Sequence, residues 1–210
     1  MPIVALHVEV PLASFRQSHA REYAQTYPVP PPSTVYGFLL SLVGEVDRYH
    51  HCGVKLAIAL LSQPDKSTVI RTFRRFKRKA LHDIRNAKPD YQELLTNVEL
   101  AIWVDTYEDL GKPSLCERLC SAFANPASVE RFGGLCLGES QDLVDSVSLL
   151  PESYGDGWLQ WLVKDRDGYL TLPYWADHVG SGGSRWERYV LQESEVWQPP
   201  ELAWTLIQEG

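Results

Sequence analysis

The chain has 210 residues, is 44% hydrophobic and carries a formal net charge of −7, enough apolar material for a proper core, as one domain or one with an appendage. No apolar stretch approaches the roughly 18 residues a membrane span needs, and an acidic body argues against a free-standing, non-specific nucleic-acid binder. Cys52, Cys116, Cys120 and Cys136 are too few and too scattered for a disulfide scaffold.

The opening Met-Pro-Ile-Val-Ala-Leu-His reads as a strand and lacks the charged leader of a secretion signal, so the cytoplasm is the expected compartment. Within it Val4, Leu6, Val8 and Val10 share one face. Residues 11–32 have no clear period and end in Pro30-Pro31-Pro32, which leads the chain in extended form to Ser33 and Thr34, either of which can cap a helix. Val35, Phe38, Leu39, Leu42, Val43 and Val46 then follow core-facing helical spacing. Gly37, Ser41 and Gly44 lie on a neighbouring face, where glycines predict a close neighbour.

Val54–Leu61 reads as a second strand, and a third starts near Thr68 after the turn at Gln63-Pro64-Asp65-Lys66. This third strand runs into a basic stretch. Eight of the 20 Lys and Arg residues lie between Arg71 and Lys88, opposed there only by Asp83, so the stretch carries +7 and the rest of the chain −14. Past Ile70, cations point to both sides of an extended chain, and neither side can be buried without leaving charges unpaired. Residues 76–96 therefore read as an arm inserted between two strands. The cations of the basic run suit phosphates and its Phe73 and Phe76 suit unpaired bases, so single-stranded nucleic acid is the leading partner class. A solvated loop that docks on an acidic protein is the alternative.

Order returns at Asn97–Asp105, where Val98, Leu100, Ile102 and Val104 face inward. Pro113-Ser114 opens a second helix with Leu115, Leu119, Ala122 and Phe123 on one face, ended by Asn125-Pro126. A glycine loop follows over 131–140, and Leu143–Leu150 reads as a closing strand. The order strand, helix, strand, strand, helix, strand is an α+β, ferredoxin-like βαββαβ pattern, that of the RNA-recognition module. This assigns residues 1–150 to one domain and 151–210 to a β-rich extension holding six of the seven Trp, with short strands at Trp158–Val163, Tyr169–Leu172 and Tyr189–Gln192.

The glycine loop carries no Gly-Lys-Ser/Thr and is not a P-loop. Its glycines either bring main-chain N–H groups close to a phosphate or sugar, with Arg131 adding charge, or form a tight turn. Metal-free RNA cleavage needs an acid and a base at one phosphate. Of the six histidines only His19 and His82 lie in segments free to serve, and no spacing demands it. Cys116 and Cys120 share a helical face without a second pair, which fits two small core residues better than a metal site.

Three segments together resemble the Cas-five subunit family of CRISPR-associated proteins, in its DevS-like branch. They are Val10–Arg16 leading through Tyr27–Gly37 into Leu39–Glu45, then Arg71–Arg75, then Phe132–Ser140. The resemblance covers about residues 1–150. It implies a subunit that caps the 5′ handle of the guide crRNA inside a type I Cascade complex, beside backbone and large subunits, and reaches target DNA through that complex. It further implies that residues 76–96 are the thumb and that Arg71, Arg74, Arg75, Lys77, Arg78 and Lys79 hold phosphates at its root. Arg131, Phe132, Gly133, Gly134, Gly138, Glu139 and Ser140 would hold the handle nucleotides. Arg16, His19 and Arg21 would close the other side, and Ser33 and Thr34 would offer a helix N-terminus to a phosphate. No catalytic residue, metal, cofactor or membrane contact is expected. A metal-independent endoribonuclease that processes precursor crRNA is the alternative, and the branch includes transposon-associated as well as defence systems.

Overall fold

A computed structural model describes residues 3–20, 23–74, 82–151, 155, 157–177 and 182–209. The elements in order are β1 (Ile3–Ala13), β2 (Tyr23–Ala24), α1 (Pro32–Leu42), β3 (Lys55–Leu60), β4 (Asp65–Arg74), β5 (Ala87–Asp105), α2 (Leu115–Ala124), β6 (Ser146–Leu149), β7 (Leu159–Lys164), β8 (Leu170–Trp175), β9 (Arg185–Ser194) and β10 (Thr205–Leu206). One mainly antiparallel sheet runs β6-β1-β5-β3-β7-β9-β8. No helix among the described residues is long and apolar enough to cross a membrane.

The alternation in β1 and β5 sets the layers, because successive side chains of a strand point to opposite faces. Leu6, Val8, Leu100, Ile102, Leu56 and Ile58 are buried on one face beneath Val35, Phe38 and Leu39 of α1 and Leu115, Cys116 and Leu119 of α2. Ser114 caps α2 in a reciprocal box with Glu117, which satisfies two otherwise orphaned N–H groups. The other face carries Ala57, Ala59 and Ala101 beside Trp103 and Trp161. Those alanines leave room for indoles: Trp103 packs on Trp161 with ring centroids 4.7 Å apart and meets Trp197 edge-on at 6.5 Å. Since β7 pairs with β3 through Ala59↔Trp161, residues 151–210 continue the sheet and also roof part of its second face.

Several expectations need correction. Helix α1 begins at Pro32, capped by Pro31 without a side-chain bond. Proline suits the first helical position because its missing N–H is unpaired there anyway, and this places Ser33 and Thr34 inside the first turn. The helix ends before Gly44, at φ +69°, so Val46 stands 96% exposed rather than in the core. A Cβ at Gly44 would collide with the Glu130 carbonyl, whereas Gly37 has open space beside it. The close neighbour expected along this face exists only at Gly44. Cys116 is buried but Cys120 is exposed. The closing strand is shorter than the expected Leu143–Leu150, β4 starts at Asp65 rather than Thr68, and β9 spans ten residues.

Candidate nucleic-acid interface

Strand β5 has 19 residues, too long for the sheet it joins. Its second half lies between β1 and β3, while its first half pairs with β4 in an unbroken antiparallel ladder from Asp65↔Thr96 to Arg74↔Ala87. The arm is thus a hairpin that reaches back to Asp65. Residues opposite each other share a face, which puts Arg71 with Asp90, Phe73 and Lys88 on one side, and Ile70 with Tyr91, Thr72 and Arg74 on the other. Both sides are open: Ile70 is 66% exposed, Phe73 50% and Tyr91 43%. Near the tip Asp83 accepts from the Arg85 N–H at 2.9 Å and forks onto the Arg85 guanidinium at 2.6 Å. The lone acid of the basic run is consumed there by one cation.

Two polar residues anchor the root, and sequence reasoning missed both. Glu93 is buried and accepts the Thr26 N–H at 3.0 Å and the Tyr23 hydroxyl at 3.2 Å, with the Lys66 ammonium 3.3 Å away. Gln92 donates to Glu139 Oε2 at 3.0 Å, tying the glycine loop to the hairpin. Residues Tyr23 and Ala24 run parallel to Tyr91 and Gln92. The loop is also pinned to the end of β1, where Asp142 Oδ2 accepts the N–H groups of Ser14 at 2.8 Å and Glu139 at 2.9 Å. Burial pushes the Asp142 carboxyl above its usual range, against those two N–H bonds and the nearby positive Arg71. Gly138, at φ +117°, lies so close to the Ser14 carbonyl that a Cβ would sit 2.9 Å from it. Only glycine fits there. A polar pair amid the apolar Leu94-Leu95 stretch was the available signal for Gln92 and Glu93.

The structure therefore gathers Arg71, Gly138 and Glu139 near one root, with the Arg16 segment alongside through the Arg16↔Thr26 bridge. The Arg16 guanidinium donates to the Ala20 carbonyl at 3.0 Å. It does not gather all of the predicted set. Arg131 and Phe132 lie at the other end of the loop and line a recess with Leu40, Ser41 and Gly44 at the end of α1, with Phe132 fully exposed. Gly133 has open space around it, and Gly134 abuts Leu143. His19 is exposed and lines a recess with Tyr169 and Trp186. Ser140 is exposed beside Glu139, and Ser33 and Thr34 are half-buried in the first turn of α1. Arg21, Arg75, Lys77, Arg78 and Lys79 fall outside the described residues.

Two histidines form a tight polar cluster elsewhere. His51 is fully buried; its Nδ1 is 3.0 Å from Asp109 Oδ2 and its Nε2 is 3.0 Å from Arg118 Nη1. A guanidinium only donates, so Nε2 accepts and Nδ1–H donates to the carboxylate. Burial acts to raise the Asp109 carboxyl, but bonds from His51 and the N–H groups of Leu115 and Gly111 outweigh it and hold it below its usual value. Arg118 also bonds Glu45, which His50 approaches at 3.0 Å. Glu45 sits at about 2, since burial is outweighed by the Asp47 N–H bond, Arg118 and His50. Glu45, His50 and His51 present three potential metal-ligand atoms within 4.8 Å, as do His7, Glu9 and Glu99. In the first group the guanidinium already occupies the place of a cation. This cluster lies beyond Asp105, at the opposite end of β5 from the hairpin. His82 lies near the hairpin tip, on a different feature from His19.

Comparison with known proteins bears directly on this geometry. Residues 3–133 match the sequence model of a family described as CRISPR-associated protein (Cas_Cas5). The chain is 43% identical over 204 residues to CRISPR-associated protein Cas5 of Myxococcus xanthus (strain DK1622), covering 95% of this chain and 94% of that protein. Among solved structures, a chain of a CRISPR RNA-guided surveillance complex superposes with a TM-score of 0.62 at 14% identity, covering 95% of this chain and 92% of that one. A structure described as a Cas protein superposes with a TM-score of 0.52 at 16% identity, covering 100% and 99%. At such identities the two structures speak for a shared fold alone.

Proposed function

The chain belongs to the Cas5 family of CRISPR-associated proteins, and from that premise we propose that it caps the 5′ handle of a guide RNA in a type I Cascade assembly. The observation that carries this reading is the β4–β5 hairpin, a laddered arm with the half-buried Arg71 and the exposed Arg74 on opposite sides. A strand of RNA neutralises such an arm without burying its charges in protein. The handle's phosphates lie along Arg71 and Arg74, with Arg75, Lys77, Arg78 and Lys79 of the same run adding charge. At the root the backbone of Gly138, Glu139 and Ser140 approaches the ribose-phosphate chain, and Arg16, His19 and Arg21 close the other side. Arg131, Phe132, Gly133 and Gly134 serve nucleotides further along the loop, and the first turn of α1 at Ser33 and Thr34 offers N–H groups to a phosphate.

The antiparallel order β6-β1-β5-β3, with both helices on one face, supports a ferredoxin-like core over residues 1–150, the hairpin as its inserted thumb and 151–210 as a β-rich extension. Membership in the Cas5 family is the ground for the proposed scaffold role, in which backbone and large subunits dock beside the capped RNA and target DNA is reached through them. The fully buried His51 cannot reach a phosphate, and no acid–base pair is assigned.

The test is binding of a repeat-derived 5′-handle RNA to the full chain, followed by fluorescence anisotropy across a salt series. With about five phosphates held, log K falls against log salt with a slope of about −3.5. Arg71→Glu with Arg74→Glu weakens binding at least about tenfold and flattens that slope by about 1.4, with an unchanged unfolding midpoint. Unaltered affinity in the double variant sinks the reading. A defined cut of repeat RNA in EDTA replaces the scaffold role with a maturation nuclease.

A further inference from the structure

The segment that closes the arm root also walls two adjoining recesses. One, of about 480 Å³, lies between Thr26, Lys66 and Leu95 at the root and Gln160 and Leu191 of the C-terminal strands. The other, of about 620 Å³, is lined by His19, Tyr27, Tyr169, Thr171 and Trp186. Gln17 lines both, so the recesses adjoin at that side chain, as a trough divided by Gln17 between the arm root and the β8–β9 hairpin.

The far end of this trough exposes large aromatic surface on a rigid support. Tyr169 is 67% exposed and Trp186 41%, yet both are held. The Leu191 N–H donates to the Tyr169 hydroxyl at 3.4 Å, and Trp186 stands opposite Pro173 in the β8–β9 ladder. Arg188 lies on the same face as Trp186, opposite Thr171, with its guanidinium fixed by the Gly168 and Arg166 carbonyls at 3.0 and 2.9 Å. Lys66 lines the near end, its ammonium paired with Glu93 at 3.3 Å. At the aromatic end Glu187 turns away from the Arg188 guanidinium and lines a separate recess on the other face of β9.

We propose that this trough is a second nucleotide site, in which one or two unpaired nucleotides of the strand held at the arm root stack a base on Tyr169 and Trp186. The proposal rests on the RNA-holding reading of the arm and adds a site on the C-terminal strands. Open aromatic faces accept any base. Gln17, His19 and Thr171 along the same walls supply the donors and acceptors that reach a base edge. Arg188 beside the aromatic end offers a fixed cation to a phosphate, which a purely apolar polypeptide does not need.

The test uses the full chain and a 12-nucleotide repeat-derived RNA with 4-thiouridine placed at each position in turn. After irradiation, mass spectrometry maps the cross-links on the unmutated protein. Cross-links to Tyr169 or Trp186, from positions different from those that reach the arm, support the proposal. So does a loss of affinity on the order of tenfold for Tyr169→Ala and for Trp186→Ala, restored in Trp186→Phe. Cross-links confined to the arm, with full affinity in both alanine variants, overturn the trough and leave the arm reading intact. Absence of any RNA binding overturns both. Unchanged RNA affinity together with lost capture of the neighbouring protein subunit overturns the proposal in favour of a polypeptide occupant.

Discussion

The two halves of β5 belong to one strand and have opposite fates. From Leu100 to Val104 the strand is paired on both sides, and Leu100, Ala101, Ile102 and Val104 are fully buried beneath helices on one face or indoles on the other. From Ala87 to Tyr91 it pairs with β4 and leaves both faces to solvent except where the root is tied down. The boundary is Asn97, at φ +57°, a conformation asparagine tolerates better than most residues. Its carbonyl accepts the Ser62 hydroxyl at 2.6 Å, and that same hydroxyl accepts the Glu99 N–H at 3.0 Å. Backbone pairing is common to both halves. Burial is decided by side chains, since cations and their neighbours keep the first half out of any core.

The largest expected effect that sharpens this contrast is on the buried half. Leu100→Ala should cost about 2–5 kcal/mol in urea unfolding, the transfer loss plus the cavity left behind. A cost below about 1 kcal/mol would mean that the sheet centre is not packed as described. A smaller effect probes how the covered end handles polar groups. Glu45 is held at about 2 against an ordinary 4.5, so its contribution is fully present above about pH 4.5 and is lost as pH falls toward 2. Glu45→Gln should lower stability at neutral pH by roughly 1–3 kcal/mol, the worth of charge-assisted bonds. It should also flatten the acid limb of a melting-temperature profile between those pH values, and an acid limb of unchanged slope would show that Glu45 is not locked. The smallest effect is expected on the arm, where Ile70→Ala should shift stability by no more than about 0.5 kcal/mol. A large shift there would place the hairpin inside a core.

Much of the body was legible because its signals are local. The alternation of Val4 to Val10 and Val98 to Val104, and Pro113-Ser114 ahead of the Leu115, Leu119, Ala122 and Phe123 face, each predict their element from a few neighbouring residues. Cations on both sides of the strand pointed to the exposure seen at Phe73 and Arg74, though not that pairing starts at Asp65, since Lys66, Ser67 and Thr68 carry no sign of which strand they will meet. The root was illegible because it is built across distance: Tyr23 and Ala24 beside Tyr91 and Gln92, Glu93 bonded to Thr26, Asp142 bonded to Ser14. The glycine loop misled for a related reason. Its residues are adjacent in sequence, yet Phe132 lines a recess at the end of α1 while Glu139 bonds to β5. Small residues hid the second face as well, because Ala57, Ala59 and Ala101 acquire meaning only once Trp103 and Trp161 stand over them.

That indole roof has a consequence for how a long polymer can travel over the molecule. The broad central platform is already taken by the protein's own rings, so any strand it carries must follow the perimeter, from one rim to the next. Its footprint then depends on loops and edges, which can change in length and composition while the packed middle stays as it is.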